Sequence, residues 1–176
     1  MVGEEYEVLK SLLKRVPDMQ PGQRVPAIKE ILSTPLNQPA YPRLTEEAVR
    51  ILKSLDIIDR SIIDPLYDKS STGRLKIAII RAMPKMNIEN TDDRMKTKIL
   101  IETIINHSSN SAIRDEAARA LMELKTIDIL ECIRGLQRAP INSAAQETIR
   151  HLLVRLITST PPERLKEMLL KSLEEQ

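Results

Sequence analysis

The chain has 176 residues, with 27 basic and 25 acidic side chains, two histidines, one cysteine, no Phe, no Trp and three Tyr. A formal charge of +2 gives no general electrostatic case for nucleic acid or an anionic membrane. The lone Cys132 excludes an internal disulfide framework, and no apolar run approaches the roughly 18 residues that cross a bilayer. The amino terminus is acidic and lacks a signal-peptide core, so a cytoplasmic protein is expected.

In chain order, Glu4 to Arg15 reads as an amphipathic helix with Val8, Leu9, Leu12, Leu13 and Val16 on one face, ended by Pro17. Pro21-Gly22 predicts a turn. A second helix to about Ser33 carries Val25, Ile28, Ile31 and Leu32, with Pro26 in its first turn. Pro35, Pro39 and Pro42 make Ser33 to Arg43 a linker or covering loop. Residues 1–43 therefore form an N-terminal helical pair with a Pro-rich linker, and 44–176 a helical array continuous with it.

Thr45 is the predicted cap of a helix that starts at Glu46-Glu47 and faces Ala48, Val49, Leu52 and Leu55 inward. Its partner carries Ile62, Ile63, Leu66 and Tyr67, kinked or restarted at Pro65. Helices then follow over Arg74 to Lys85 and Asp92 to about His107, the second burying Met95, Ile99, Leu100, Ile104 and Ile105. Ala112 to Lys125 and Ile127 to Arg138 come next, with Thr126 as cap. Ser143 with Gln146, and Thr160 with Glu163, have capping-box spacing. The last helix uses Leu165, Met168, Leu169 and Leu173. About ten helices result, with no alternating strand pattern.

A phrase recurs through this pattern. Ala48-Val49-Arg50-Ile51-Leu52-Lys53-Ser54-Leu55 aligns with Ala117-Ala118-Arg119-Ala120-Leu121-Met122-Glu123-Leu124, and looser copies begin at Lys76 and Thr148. The starts at 48, 76, 117 and 148 are 28, 41 and 31 residues apart. Recurrence at roughly 20–50 residues marks stacked repeats.

Ile113-Arg114-Asp115-Glu116-Ala117-Ala118-Arg119-Ala120-Leu121-Met122-Glu123-Leu124 resembles the first-helix consensus of HEAT-like repeats. Asp128 and Arg134 match the turn aspartate and the basic residue six positions on, whereas Asp59 is followed at that distance by Pro65. The resemblance spans about 44–173. It implies an all-α, right-handed α-solenoid of stacked antiparallel helix pairs, with the second helices lining the concave face. The N-terminal pair would be a cap or partial repeat.

The residues suggest little chemistry. His107 and His151 lie in different units, and Cys132 sits in a helix, so structural roles are expected for all three. No phosphate-binding glycine motif or nucleophile signature is present. No catalytic residue, metal site or cofactor is expected, and no small-molecule substrate is evident. The chain reads as a non-enzymatic protein–protein interaction scaffold. Its candidate partner-binding residues are Lys98, Glu102, Glu131, Arg134 and Arg138, the polar positions of two second helices.

The alternative is nucleic-acid binding through residues 69–98. Lys69, Arg74, Lys76, Arg81, Lys85, Arg94, Lys96 and Lys98 face only Glu89, Asp92 and Asp93 there, an excess of five positive charges. Arg50, Arg119 and Arg150 share one repeat position. They form either a ladder or helix-surface pairs with Glu46, Glu47, Glu116 and Glu147 upstream.

Overall fold

The computed structural model describes residues 2–174. It contains ten α-helices and no β-strand among those residues, and it divides into two compact units, Met1–Thr91 and Asp92–Gln176.

In the first unit α1 (Val2–Lys14) buries Leu9 and Leu13 and is followed by a 3-10 turn at Val16–Asp18, with Val16 buried. Val8 and Leu12 were expected on the same face but are exposed, because α1 packs on α2 and α3 along one narrow side. α2 (Pro21–Ser33) buries Val25, Ile28, Ile31 and Leu32 as the 3.6-residue period requires. Pro21-Gly22 opens this helix instead of forming a turn before it. Proline fits a first helical position because its missing N–H has no acceptor to lose. Pro26 consequently falls inside the helix, beyond the first turn, where it frees the carbonyl of exposed Gly22.

The proline-rich stretch lies within this unit as a coil and a 3-10 turn (Gln38–Ala40), between helices that also contact each other: α1 packs on α3, and α2 on α5. α3 (Tyr41–Ser54) starts earlier than expected, with Pro42 in its first turn. Thr45 does not cap it; the side chain is buried inside the helix and its hydroxyl donates to Tyr41 O at 3.0 Å. Leu44, Ala48, Ile51 and Leu52 complete its buried stripe, while Val49 is only half-buried.

The expected partner helix is split. A 3-10 turn (Arg60–Ile63), capped by Asp59 through Ser61 N at 2.8 Å, runs into the one-turn α4 (Asp64–Tyr67) with Pro65 near its start. Ile62, Ile63 and Leu66 are buried, but Tyr67 is exposed. α5 (Gly73–Ala82) is capped by Thr72, whose hydroxyl accepts from Leu75 N. The turns after α3 and α5 meet in a parallel bridge between Ile58 and Ile88, with N···O distances of 2.8 and 2.9 Å.

The second unit holds α6 (Asp93–Asn106), α7 (Ser111–Glu123), α8 (Ile129–Arg138), α9 (Ala144–Ser159) and α10 (Pro162–Glu174). Side-chain caps open four of them: Asp92, Asn110, Asp128 and Ser143 each accept from a backbone N–H three residues on. Asp128 rather than Thr126 caps α8. The reciprocal bond at α9 runs from Asn142 N, not Ser143 N, to Gln146 Oε1 at 3.0 Å.

Ile99, Leu100, Ile101, Ile104, Ala117, Leu121, Cys132, Ile149 and Leu152 fill the core, while Met95 and Ile105 are only half-buried. α8 approaches α6 closely at Gly135, where an added Cβ would stand 2.3 Å from Ile101 Cγ2. α10 packs on α8 with Leu165, Met168 and Leu169 half-buried. Leu173, expected in that stripe, is 58% exposed.

Candidate functional site

The start of α6, the 126–128 loop, the first turns of α8 and one side of α10 enclose a charged groove. The 126–128 loop is tied to α6 twice: Thr126 N donates to Asp93 Oδ2 at 3.0 Å, and Asp128 N to Thr97 Oγ1 at 3.2 Å. These bonds fix Asp128, which is 7% exposed and performs two tasks. Its Oδ1 accepts from Glu131 N at 3.2 Å, and its Oδ2 lies 3.4 Å from Arg94 Nε.

Capping by Asp128 places Glu131 in the first turn of α8, where the helix's positive end favours a carboxylate. Glu131 is 6% exposed. Its Oε1 accepts from Arg138 Nη2 at 2.7 Å and its Oε2 lies 3.8 Å from Arg134 Nη1. The two guanidiniums stay substantially exposed while their shared counter-ion is internal. They are therefore held in place at the surface and remain able to meet a carboxylate from outside.

Arg94, Met95, Lys98, Asp128, Glu131 and Arg134 line one cavity of about 360 Å³ with Asp92. A second cavity of about 360 Å³ shares Asp92, Arg94 and Asp128 with it and reaches Arg164, Glu167, Met168 and Lys171 of α10. Both signs of charge alternate along the groove, with Met95 and Met168 as apolar contacts.

Of the five predicted partner-binding residues, Lys98 and Arg138 are exposed and Glu102 and Arg134 half-buried. Glu131, expected as a contact residue, is buried, with its carboxylate hydrogen-bonded to Arg138 and facing Arg134. Asp128, Arg94 and the α10 residues Arg164 and Lys171 were absent from the predicted partner-binding set. The Asp128-x-x-Glu131 spacing, a helix-start signature, is the sequence signal that would have found the first.

Three of the eight residues of the expected basic patch are buried. Arg74, Lys76 and Lys96 are 2%, 5% and 6% exposed, and burial lowers the pKa of each against the opposing influence of Tyr41 and Glu5, Asp68, and Asp93 respectively. Lys69, Arg81, Lys85 and Lys98 are exposed and Arg94 half-buried, but Lys69, Arg81 and Lys85 belong to the first unit and Arg94 and Lys98 to the second.

The repeated arginines form pairs within their own helices. Arg50 lies 2.5 Å from Glu47, Arg119 3.2 Å from Glu116 and Arg150 2.7 Å from Glu147. His151 Nε2 is 2.9 Å from the same Glu147, and His107 caps the end of α6 with Nδ1 2.9 Å from Thr103 O. Cys132 is fully buried, and burial beside Asp128 and Glu131 pushes its thiol up to about 12. Among the described residues no group of three His, Cys, Asp or Glu side chains is placed to hold a metal ion. No described helix is long and apolar enough to cross a membrane.

Comparison with protein-family models, curated proteins and solved structures finds no match to this chain.

Proposed function

We propose that the chain is a non-enzymatic protein-binding module, a short HEAT-like array that docks a partner protein through the α6–α8–α10 groove. The observation that carries this reading is the arrangement at Glu131, a buried carboxylate that fixes Arg134 and Arg138 at the surface. Fixed guanidiniums lose little side-chain entropy on binding, and arginine is favoured at protein interfaces for that reason. The array reading is supported by the Glu-x-x-Arg pair, which recurs with the same i,i+3 geometry in α3, α7 and α9. It is also supported by the Ile58–Ile88 bridge, which sets successive turns side by side. Stacked repeats supply extended binding surfaces in general.

Affinity capture of the tagged protein, with half of the lysate nuclease-treated, tests this reading. A stoichiometric protein that survives nuclease supports it. Loss of all bound material on nuclease treatment favours nucleic acid instead.

A further inference from the structure

Arg74, the second residue of α5, carries a buried guanidinium with two different edges. One edge closes the end of α2: Nε donates to Leu32 O at 2.8 Å, and Nη2 to Ile31 O at 3.4 Å and to Thr34 O. The last carbonyls of a helix lack intrahelical donors and favour a cation, so this edge has a structural purpose. The Tyr41 ring stands over the guanidinium, 5.2 Å from its carbon to the ring centre. The other edge is unmet. Nη1 is buried and has no hydrogen-bond partner among the described residues.

The hydrogen-bond partners of the guanidinium are thus all backbone carbonyls, and the carboxylate of Glu5 acts on its charge only through space. A buried N–H left unpaired on a charged group is costly, and a carboxylate is its strongest complement. Against the guanidinium lies a pocket of about 250 Å³ whose walls include Leu32, Pro35, Leu36, Tyr41 and Thr72. Leu32, Pro35 and Leu36 form its apolar wall, and Ser33, Thr34 and Thr72 add hydroxyl groups. Burial raises the pKa of the Tyr41 phenol, against the opposing influence of Arg74.

We propose that this pocket binds a carboxylate carried on a short apolar group. Arg74 Nη1 donates to one carboxylate oxygen, and the apolar group rests against Leu32, Pro35 and Leu36. A phosphate dianion needs several charged or amide donors around it, and Arg74 is the one charged side chain in this lining. Nη1 is shielded from water, so binding requires the coil at 34–36, the non-helical wall beside α2, to yield. Two sources carry this chemistry, a free branched acid and the C-terminal carboxylate of a peptide ending in an aliphatic residue. The site lies wholly in the first unit and does not depend on the groove of the second.

The test titrates the full chain with isovalerate, isovaleramide, inorganic phosphate, and an Ac-Gly-Ala-Val peptide as acid and as amide. Calorimetry and the arginine side-chain resonances provide the readouts. The expected result is saturable binding of at least one carboxylate with a shift of the Arg74 guanidinium signals, and at least tenfold weaker binding of its amide. The tighter of the two acids identifies the source. Arg74→Ala removes the cap of α2 and can unfold the unit, so the second variant is Leu36→Trp, which fills the pocket and keeps that cap. It should retain a folded spectrum and lose binding at least tenfold. Equal binding of acid and amide, no carboxylate binding, phosphate binding as tight as the acids, or undiminished binding by Leu36→Trp overturns the proposal.

Discussion

Glu131 and Arg138 are joined across two turns of α8, with Arg138 Nη2 donating to Glu131 Oε1 at 2.7 Å. The carboxylate is internal and the guanidinium half in water, so the pair sets a surface charge from within. Glu131→Gln keeps the shape and removes the charge. It should cost about 1–2 kcal/mol, the range of one charge-assisted hydrogen bond discounted for the exposure of the arginine. Urea denaturation checks the value. No loss of stability would show that Glu131 anchors nothing.

Asp128 is the residue on which the groove depends locally. Asp128→Ala removes the α8 cap and the carboxylate facing Arg94. A lost cap costs about 0.5–2 kcal/mol, and the exposed side of the ion pair adds little. Thr126→Ala should change stability far less, because Thr126 enters the α6–α8 connection through its backbone N–H. Parallel denaturation curves of the two variants decide between them.

Gly135→Ala reverses the usual helix-propensity gain. Alanine in a helix interior is better than glycine by roughly 1 kcal/mol, yet here the new Cβ meets Ile101 Cγ2 at 2.3 Å. Ile101 is β-branched and fully buried, so it cannot swing away. The variant should lose about 1–3 kcal/mol, the usual cost of overpacking. Pairing it with Ile101→Ala should recover part of the loss relative to the sum of the single changes. Strict additivity in that double-mutant cycle would contradict the contact.

Cys132 should resist thiol reagents while the protein is folded. Its thiol is pushed from 9.0 up to about 12, and the side chain is fully covered. Ellman's reagent at pH 8 should react orders of magnitude more slowly than in urea. The linkage has a definite sign. Above about pH 9 the unfolded chain releases the thiol proton and the folded chain keeps it, so stability falls as pH rises from about 9 towards 12. Cys132→Ala should flatten that fall. Fast labelling of the native protein would contradict the burial.

The three Glu-x-x-Arg pairs are expected to be minor in energy and neutral in binding. Arg50→Ala, Arg119→Ala and Arg150→Ala should each change stability little, and still less at high salt. Thermal denaturation at low and high ionic strength measures both effects.

Helix-forming periodicity was legible where a buried stripe repeats, as in Val25, Ile28, Ile31 and Leu32. The cap at Ser143 was legible from its spacing to Gln146, whereas Asp92 was read only as the start of a helix and its capping role was not. Thr45 and Thr126 misled because threonine hydroxyls also bond backward inside helices, and because Asp128 stood closer to the true start of α8. Val8 and Leu12 show the limit of a stripe at the edge of a unit: periodicity gives a face but not how much of it is covered. Counting charges likewise could not separate Lys69, which is exposed, from Arg74, which folds under α2 to meet its carbonyls. The positions of Lys98, Arg134 and Arg138 were readable from the polar side of their helices. The burial of Glu131 was not, since it follows from the cap at Asp128 and from arginines three and seven residues on.

The most direct measurement is partner capture by the charge-reversed variant Arg134→Glu with Arg138→Glu, beside Lys69→Glu with Lys85→Glu as a control of equal charge change. The account predicts that a nuclease-resistant protein partner is lost at least tenfold from the first variant and kept by the second, with both variants folded by circular dichroism. Retention by the first variant, or loss confined to the second, would contradict docking at the α6–α8–α10 groove.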